Sequence, residues 1–305
     1  MRRRGGRARR RRGTRVLGGV AIGVALLLVG VGAAGIITGA SESNGVSATS
    51  EPTPSATGPG SGTGDRQTGT ADDADASAAL SYVALGDSFA AGLGGGDSAG
   101  PCQRGTESYP QLLGAVPGID LTADATCSGA VTGDVGGQLS GLSAATTLVT
   151  LTVGGNDLDF ASVVDACLNT SGGSCQADID AAGDLLVSGA LGDRLDAVYA
   201  RIAEAAPNAR TVVTGYPYLY APSSDPLVTQ LNTATAALNL TIRGAVAEAR
   251  AQRPSVGIDF VDVTSTFLGH GINDADPWIS DAGLGAFHPT VAGYAAYAAA
   301  VRSAL

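Results

Sequence analysis

The chain has 305 residues, and its 28 acidic and 18 basic side chains give a formal net charge of −10 at pH 7. Residues 80–305 hold 22 acidic side chains against eight arginines, so this part alone carries a net charge of −14. The acidic balance argues against a nucleic-acid partner, because proteins that bind phosphates need a basic surface.

The first 40 residues have the composition of an export signal or an N-terminal membrane anchor. Nine arginines lie within the first 15 residues, and residues 16–41 carry no charge. As a helix, the apolar run at 16–37 would be about 33 Å long, enough to cross a hydrocarbon core of about 30 Å. Arginines that precede such a run keep the start of the chain in the cytoplasm. We therefore expect residues 1–40 to direct export, as a cleaved signal peptide or as a retained anchor.

Residues 41–79 are predicted to be a disordered linker. They are mostly Ser, Thr, Gly, Pro, Ala and Asp, and Val46 is their only large apolar side chain. Such a segment buries too little apolar surface to offset the entropy of ordering, and as a flexible coil it would span roughly 35 Å. Residues 80–305 then form one domain with a sizeable core. We expect this domain to be extracellular, secreted or tethered to the outer face of the plasma membrane, and monomeric.

All four cysteines lie in the part of the chain that is expected to be exported, at Cys102, Cys127, Cys167 and Cys175. An oxidising compartment predicts two disulfides, although four cysteines allow three connectivities. We expect sequence neighbours to pair, which gives Cys102–Cys127 and Cys167–Cys175. A metal site is the alternative, but no CxxC spacing supports it. No metal or other cofactor is expected.

Predicted strands and helices alternate through residues 80–305. Five apolar runs predict strands: Tyr82–Leu85, Ile119–Ala123, Leu148–Val153, Thr211–Tyr216 and Ile258–Val263. Apolar spacing predicts one helix at Leu195, Val198 and Ile202, a second at Leu231, Leu238, Ile242 and Val246, and a third over Val291–Leu305. Continuous apolar strands separated by helices are typical of a parallel sheet covered on both faces. Residues 157–192 and 264–287 are expected to be long loops that shape a pocket.

Three polar motifs together suit acyl transfer. Gly86-Asp87-Ser88 ends the first predicted strand and precedes a helix, a geometry that exposes the Ser88 hydroxyl. Asn156 follows the third predicted strand, and His288 lies in a late loop. Because the carboxyl ends of parallel strands share one edge of a sheet, we expect the motifs to meet there. They would supply a hydroxyl nucleophile, an amide for a developing oxyanion and an imidazole base.

Other polar and aromatic residues near these motifs have simpler interpretations. Asp87 and Asp157 are expected to brace their own turns through backbone hydrogen bonds. His270, the second of the two histidines, is expected to lie in a loop or at a pocket rim. Four aromatic residues either line a pocket or pack under loops: Tyr216, Tyr218, Tyr220 and Trp278.

Four sequence blocks resemble those of the SGNH/GDSL hydrolase superfamily, and within it those of the secreted actinobacterial esterases and lipases. The blocks are residues 82–92 (YVALGDSFAAG), 127–130 (CSGA), 154–157 (GGND) and 287–289 (FHP). The resemblance covers essentially all of residues 80–305. It implies an α/β protein, a three-layer α/β/α sandwich of flavodoxin-like type with a five-stranded parallel sheet. It also implies an exported esterase or lipase that hydrolyses carboxylic esters through an acyl-enzyme on Ser88, with His288 as the base.

The resemblance further implies an oxyanion hole. Its donors would be the backbone N–H groups of Ser88 and Gly129 and the side-chain amide of Asn156. Secreted members of the branch often have three disulfides, so the four cysteines of this chain imply that one is missing.

One departure from the superfamily pattern concerns the group that orients the histidine. An Asp usually lies three residues before the catalytic His, and in this chain that residue is Gly285. A carboxylate at this place fixes the tautomer of the imidazole, but some members of the branch use a backbone carbonyl instead. We expect such a dyad, with the carbonyl of Gly285 or Ala286. A triad with a displaced acid, Asp281 or Asp276, is the alternative.

Two other functional classes are weighed against the hydrolase. A non-catalytic domain could bind the cell wall or another ligand on the same fold, but it would not need Ser88, Asn156 and His288 together. A nucleotide- or flavin-binding protein is a weaker alternative, since no GxGxxG follows the first strand. For the hydrolase, the ester substrate stays open among lipids, small esters and acylated glycans. Contact with a membrane is expected only through the N-terminal segment.

Overall fold

The computed structural model describes residues 79–168 and 175–305. The predicted signal or anchor at 1–40 lies outside the described residues, as does the predicted linker at 41–79 except for its last residue. Among the described residues, no helix has the length and apolar character needed to cross a membrane.

Five parallel strands form the central sheet. They are β1 (Leu80–Gly86), β4 (Ile119–Asp124), β5 (Leu148–Thr152), β6 (Arg210–Thr214) and β7 (Ile258–Val261). Their order across the sheet is β4-β1-β5-β6-β7. A separate antiparallel pair joins β2 (Ser98–Ala99) to β3 (Arg104–Gly105). All five predicted strands are therefore confirmed, and their ends differ from the prediction by at most two residues.

Helices occupy both faces of this sheet. In chain order they are α1 (Ser88–Ala91), α2 (Tyr109–Gly114), α3 (Val135–Gln138), α4 (Phe160–Leu168), α5 (Cys175–Val187), α6 (Ala190–Ala205), α7 (Pro226–Gln252) and α8 (Val291–Ser303). The three helices predicted from apolar spacing are α6, α7 and α8. The prediction of a long loop at 157–192 is wrong, because α4 and α5 lie there. Helix α5 has no fully buried residue; Ile179, Ala182 and Leu185 lie on one face of it and are only half-buried, so its apolar signal is weak.

Side chains of the central strand β1 alternate between two cores. Val83 and Leu85 of β1 pack in the core that α6 and α7 cover. Tyr82 and Ala84 pack in the second core, with α2 and α8. Burial on both faces explains why β1 and β5 read as continuous apolar runs. The predicted three-layer α/β/α sandwich is thus confirmed.

The order of the strands creates a crevice at one edge of the sheet. The chain passes from β1 to β4 on one side, then returns to place β5 on the other side of β1. In sheets of this type, ligands bind where the strand order reverses, beyond the carboxyl ends of the strands. The ends of β1 and β5 therefore mark the place where a site is expected.

Two disulfides fix loops near this edge. Cys102 is bonded to Cys127, and Cys167 is bonded to Cys175. The pairing is the one expected between sequence neighbours, so the alternative of a metal site at the cysteines is wrong. The first bond joins the β2–β3 turn to the loop after β4, and the second joins the end of α4 to the start of α5.

Candidate active site

Ser88 begins α1 directly after β1. Gly86 has a φ of 128°, and a Cβ there would lie 2.3 Å from a carbonyl oxygen of β5, so the turn requires glycine. The side-chain amide of Gln138 pairs with the backbone of Gly86, accepting from its N–H at 2.7 Å and donating to its carbonyl at 2.9 Å. Asp87 caps the helix by accepting from the Phe89 N–H at 3.0 Å, as expected. The Ser88 hydroxyl is thereby held at the N terminus of a helix.

His288 contacts Ser88 from the loop between β7 and α8. Its Nε2 lies 2.7 Å from Ser88 Oγ, and its Nδ1 lies 2.8 Å from the carbonyl oxygen of Ala286. Because a carbonyl can only accept, Nδ1 carries the proton, and Nε2 is left to accept from the serine hydroxyl. Burial lowers the pKa of His288 below its ordinary value of 6.5, although the bond to Ala286 opposes this. The imidazole is therefore neutral at pH 7 and able to act as a base.

The backbone around His288 is held on both sides. The Ser280 N–H donates to the His288 carbonyl at 2.9 Å, and the Phe287 N–H donates to the Ser280 carbonyl at 2.7 Å. Phe287 has a φ of 64°, which is uncommon for a residue other than glycine. This turn directs the Ala286 carbonyl back toward the imidazole. The Gly285 carbonyl accepts from the backbone N–H of His288 at 3.0 Å and does not bind the ring.

Neither displaced acid reaches His288. The carboxylate of Asp276 lies 3.5 Å from Nδ1 of His270, and its side chain is 78% exposed. Asp281 is exposed, and no hydrogen bond connects it to His288. Of the orienting groups considered from the sequence, the structure brings only the Ala286 carbonyl to Nδ1.

Besides the Ser88 N–H, the expected oxyanion donors lie in two loops that are in contact, and Asn156 lines the same cavity as Ser88. Asn156 begins a turn after β5, and its Nδ2 donates one hydrogen to the Ala130 carbonyl at 3.0 Å, which leaves its second N–H available. Gly129 has a φ of 84°, which glycine adopts without strain. Within the described part of the chain, the backbone N–H groups of Ser88 and Gly129 donate no hydrogen bond. Unused donors of this kind are what an oxyanion requires.

Asp157 connects these two loops, so the expected brace of its own turn is wrong. Its carboxylate accepts from the N–H of Thr132 at 2.9 Å and from its hydroxyl at 2.6 Å. Arg194 lies 3.3 Å from the same carboxylate. The side chain therefore ties the turn of Asn156 to the loop that contains Gly129.

A cavity of about 400 Å³ opens beside Ser88 and His288. Most of its wall is apolar and includes Phe89, Phe160, Val164, Leu219, Leu238 and Phe287. Helix α4, which was not predicted, supplies two of these side chains. The cavity is therefore suited to an aliphatic group attached to the reacting carbon.

The four aromatic residues considered from the sequence have different surroundings. Tyr216 lines the cavity, whereas Tyr220 packs on Phe287 with 6.5 Å between ring centroids. Tyr218 is half-buried and does not line the cavity. Trp278 stacks on His270 at 3.5 Å. His270 therefore packs within its loop, as expected, and does not contact Ser88.

Two asparagines of α7 hold the segment after β6, and the sequence motifs did not identify them. Asn239 accepts from the Tyr216 N–H and donates to the Tyr216 carbonyl, both at 2.8 Å. Asn232 pairs with the backbone of Tyr220 in the same way. The sequence does contain a signal for Asn239, because it lies on the apolar face of α7, three residues before Ile242. A polar side chain on a buried face needs a hydrogen-bond partner.

Known proteins are similar to this chain in sequence and in fold. The model of the GDSL-like lipase/acylhydrolase family matches residues 84–296. Lipase 1 of Streptomyces coelicolor is 39% identical over 240 residues, covering 73% of this chain and 86% of the lipase. The extracellular lipase of Streptomyces rimosus has a TM-score of 0.68 at 34% identity, covering 74% of this chain and 100% of the lipase. Phospholipase A1 of Streptomyces albidoflavus has a TM-score of 0.67 at 35% identity, covering 74% and 99% of the two chains.

Proposed function

Since the chain belongs to the GDSL-like lipase/acylhydrolase family and is a carboxylic ester hydrolase, we propose that Ser88 and His288 are its catalytic dyad. The observation that carries this proposal is the 2.7 Å contact between His288 Nε2 and Ser88 Oγ. It is made by a neutral histidine whose other nitrogen is already occupied by a carbonyl. No observation favours the non-catalytic binding domain that the sequence left as an alternative.

In the acylation step, Ser88 Oγ attacks the carbonyl carbon of the ester while His288 Nε2 takes the hydroxyl proton. The carbonyl oxygen becomes an oxyanion, which receives hydrogen bonds from the N–H groups of Ser88 and Gly129 and from the Asn156 amide. His288 then gives its proton to the alcohol oxygen, the bond between carbon and that oxygen breaks, and the alcohol leaves. The acyl group remains on Ser88.

In the deacylation step, water attacks the acyl carbon and gives a proton to His288 Nε2. The second tetrahedral intermediate uses the same oxyanion donors. When it collapses, His288 returns the proton to Ser88 Oγ and the carboxylic acid departs. The Ala286 carbonyl keeps the ring in one tautomer throughout both steps.

We place the acyl chain of the substrate in the apolar cavity beside Ser88. The cavity volume of about 400 Å³ lies within the range that small-molecule ligands fill. The named relatives, two lipases and a phospholipase A1, also support a lipid-like ester rather than an acetylated glycan. Export is supported by the extracellular relative, and residues 1–40 would then direct it and could tether the domain to the membrane.

Hydrolysis of p-nitrophenyl esters of increasing acyl length tests this proposal. We expect kcat/KM to rise by about fourfold per added methylene, from acetate until the cavity is full, because burying one methylene contributes about 0.8 kcal/mol. Ser88→Ala should be inactive at every length. Ser162→Ala, which removes an exposed serine hydroxyl of α4, is the matched control and should behave as wild type.

Two outcomes would contradict the proposal. Preference for acetate would mean that the cavity does not hold the acyl chain. Hydrolysis by Ser88→Ala at a rate near that of wild type would mean that Ser88 is not the nucleophile.

A further inference from the structure

The hydroxyl of Tyr216 joins the two motifs that carry the nucleophile and the oxyanion amide. It donates to Asp87 Oδ2 at 2.6 Å and accepts from the Gly155 N–H at 3.0 Å. Asp87 directly precedes Ser88, and Gly155 directly precedes Asn156. The Tyr216 hydroxyl therefore connects the residue before the Ser88 nucleophile to the residue before the Asn156 amide.

Tyr216 is itself firmly held. It is 5% exposed, and Asn239 binds both polar groups of its backbone at 2.8 Å. Its ring meets the ring of Phe89 edge-on, with 5.0 Å between centroids. A Cβ on Gly155 would lie only 3.3 Å from the Tyr216 ring. The ring and the turn before Asn156 are thus in tight contact, with little room to shift.

Burial increases the importance of the two hydrogen bonds. Asp87 is 2% exposed, and burial raises the pKa of its carboxyl from 3.8 to about 7, while the bond from Tyr216 acts in the opposite direction. A buried carboxylate that loses a donor cannot replace it with water, so the loss is costly. The Tyr216 hydroxyl is therefore held by the Asp87 carboxyl on one side and by the Gly155 N–H on the other.

We propose that Tyr216 is a positioning residue of the oxyanion hole. Its hydroxyl holds the turn of Gly155 and Asn156 at the distance from Ser88 that the tetrahedral intermediate requires. The inference rests on the proposed roles of Ser88 and Asn156. The distance matters because a donor must meet the oxyanion rather than the ground-state carbonyl, and a misplacement of about 1 Å can cost on the order of 100-fold in rate.

Tyr216→Phe removes the hydroxyl and keeps the ring. We expect kcat on a p-nitrophenyl ester to fall about tenfold while KM changes by less than about twofold. The reason is that the Asn156 amide, which Tyr216 positions, binds the oxyanion mainly in the transition state. Tyr82→Phe is the matched control. Tyr82 is fully buried, and its hydroxyl makes a 2.6 Å hydrogen bond to Thr150 inside the sheet. That variant should lose a comparable hydrogen bond and keep the wild-type kcat.

A double-mutant cycle shows whether Tyr216 acts through Asn156. In an Asn156→Ala background the amide is absent and there is nothing left to position, so adding Tyr216→Phe should lower kcat by less than about twofold. An effect as large as in the wild-type background would overturn the proposal, because Tyr216 would then act independently. A wild-type kcat in Tyr216→Phe would also overturn it.

Gly155→Ala provides a second variant that removes no hydrogen-bonding group. Gly155 has a φ of −63°, which alanine adopts without strain, and its methyl group would press on the Tyr216 ring. We expect a loss in kcat at constant KM, and an unchanged kcat would contradict the proposal.

Ser88→Ala in the same assay separates the proposed function from the proposed role of Tyr216. Activity in that variant overturns the proposed function, whereas an inactive Ser88→Ala with a normal Tyr216→Phe overturns only the role of Tyr216.

Discussion

In the proposed dyad, a backbone carbonyl at His288 takes the place that a carboxylate has in a catalytic triad. The Ala286 carbonyl fixes the tautomer, but it carries only a partial charge and stabilises an imidazolium less than a carboxylate would. Burial also lowers the pKa of the ring. Both effects make the protonated histidine a stronger acid, which favours transfer of the proton to the leaving alcohol.

The dyad predicts that no single carboxylate is indispensable. Asp276→Asn and Asp281→Asn should each keep most of kcat, because neither side chain reaches His288. His288→Ala should lose nearly all activity. In a triad, replacing the orienting acid by Asn costs about 10⁴-fold. Steady-state hydrolysis by the three variants, with circular dichroism to verify folding, distinguishes the two cases, and a loss of that size at either aspartate would exclude the dyad.

Asp87 makes the stability of the domain depend on pH. Burial raises its pKa from 3.8 to about 7. Between these two pH values, the folded state therefore keeps a proton that the unfolded state has already released. The stability that Asp87 contributes is complete below about pH 4 and is lost as the pH rises through about 7. We expect Asp87→Asn, which cannot ionise, to gain stability relative to wild type between pH 5 and pH 8.

Urea unfolding of both proteins at pH 5 and pH 8 measures this effect. The free energy of unfolding of wild type is subtracted from that of Asp87→Asn at each pH, and the two differences are compared. This removes contributions from other titrating groups and any effect of the substitution that does not depend on pH. A difference in unfolding free energy that is equal at the two pH values would show that Asp87 has an ordinary pKa.

Among the elements, two loops approach each other closely beside the dyad. A Cβ on Gly285 would lie 2.7 Å from the Cα of Gly94, and a Cβ on Gly94 would lie 3.0 Å from the Pro289 carbonyl oxygen. The contact packs the loop after α1 against the loop that carries His288. The position three residues before the histidine therefore has no room for a side chain in this protein.

Gly285→Asp should consequently lower activity instead of creating a triad. We expect kcat/KM to fall at least about tenfold, since a shift of the histidine loop misplaces the base. Overpacking should also lower the unfolding free energy by about 1–3 kcal/mol. Gly244→Ala is the control, because a Cβ at that position in α7 meets no atom within 4 Å. If Gly285→Asp hydrolysed esters faster than wild type, the contact between Gly285 and Gly94 would not be what holds the histidine loop in place.

The elements that could be predicted from the sequence carry their own apolar pattern. The central strands β1 and β5 have long buried apolar runs, and Leu195, Val198 and Ile202 mark the buried face of α6. Helices α2 and α4 have only six and nine residues, too few to show a clear period. Helix α5 has no fully buried residue. The position of α2 depends on tertiary contacts with α8 and β4, and α4 and α5 are joined by Cys167–Cys175; local sequence patterns reveal neither.

At the scale of the whole molecule, the three polar motifs could be predicted to meet because a general rule of parallel sheets brings them together. Ser88 follows β1, Asn156 follows β5, and the two strands are neighbours at the point where the order reverses. The bridge through Tyr216 could not be predicted in this way. Its hydroxyl contacts Asp87 across 129 positions of sequence, and such a contact leaves no spacing or composition signal.

Covalent labelling tests the central claim, that Ser88 is a nucleophile activated by His288. A fluorophosphonate reacts with a serine hydroxyl that a neighbouring base activates, and it leaves a phosphonyl group on that oxygen. Mass spectrometry of the intact protein and of its proteolytic peptides locates the label. We expect one phosphonyl group per molecule, on the peptide that contains Ser88, and none on Ser88→Ala or His288→Ala. A label on another residue, or labelling of Ser88→Ala at the wild-type rate, would contradict the claim.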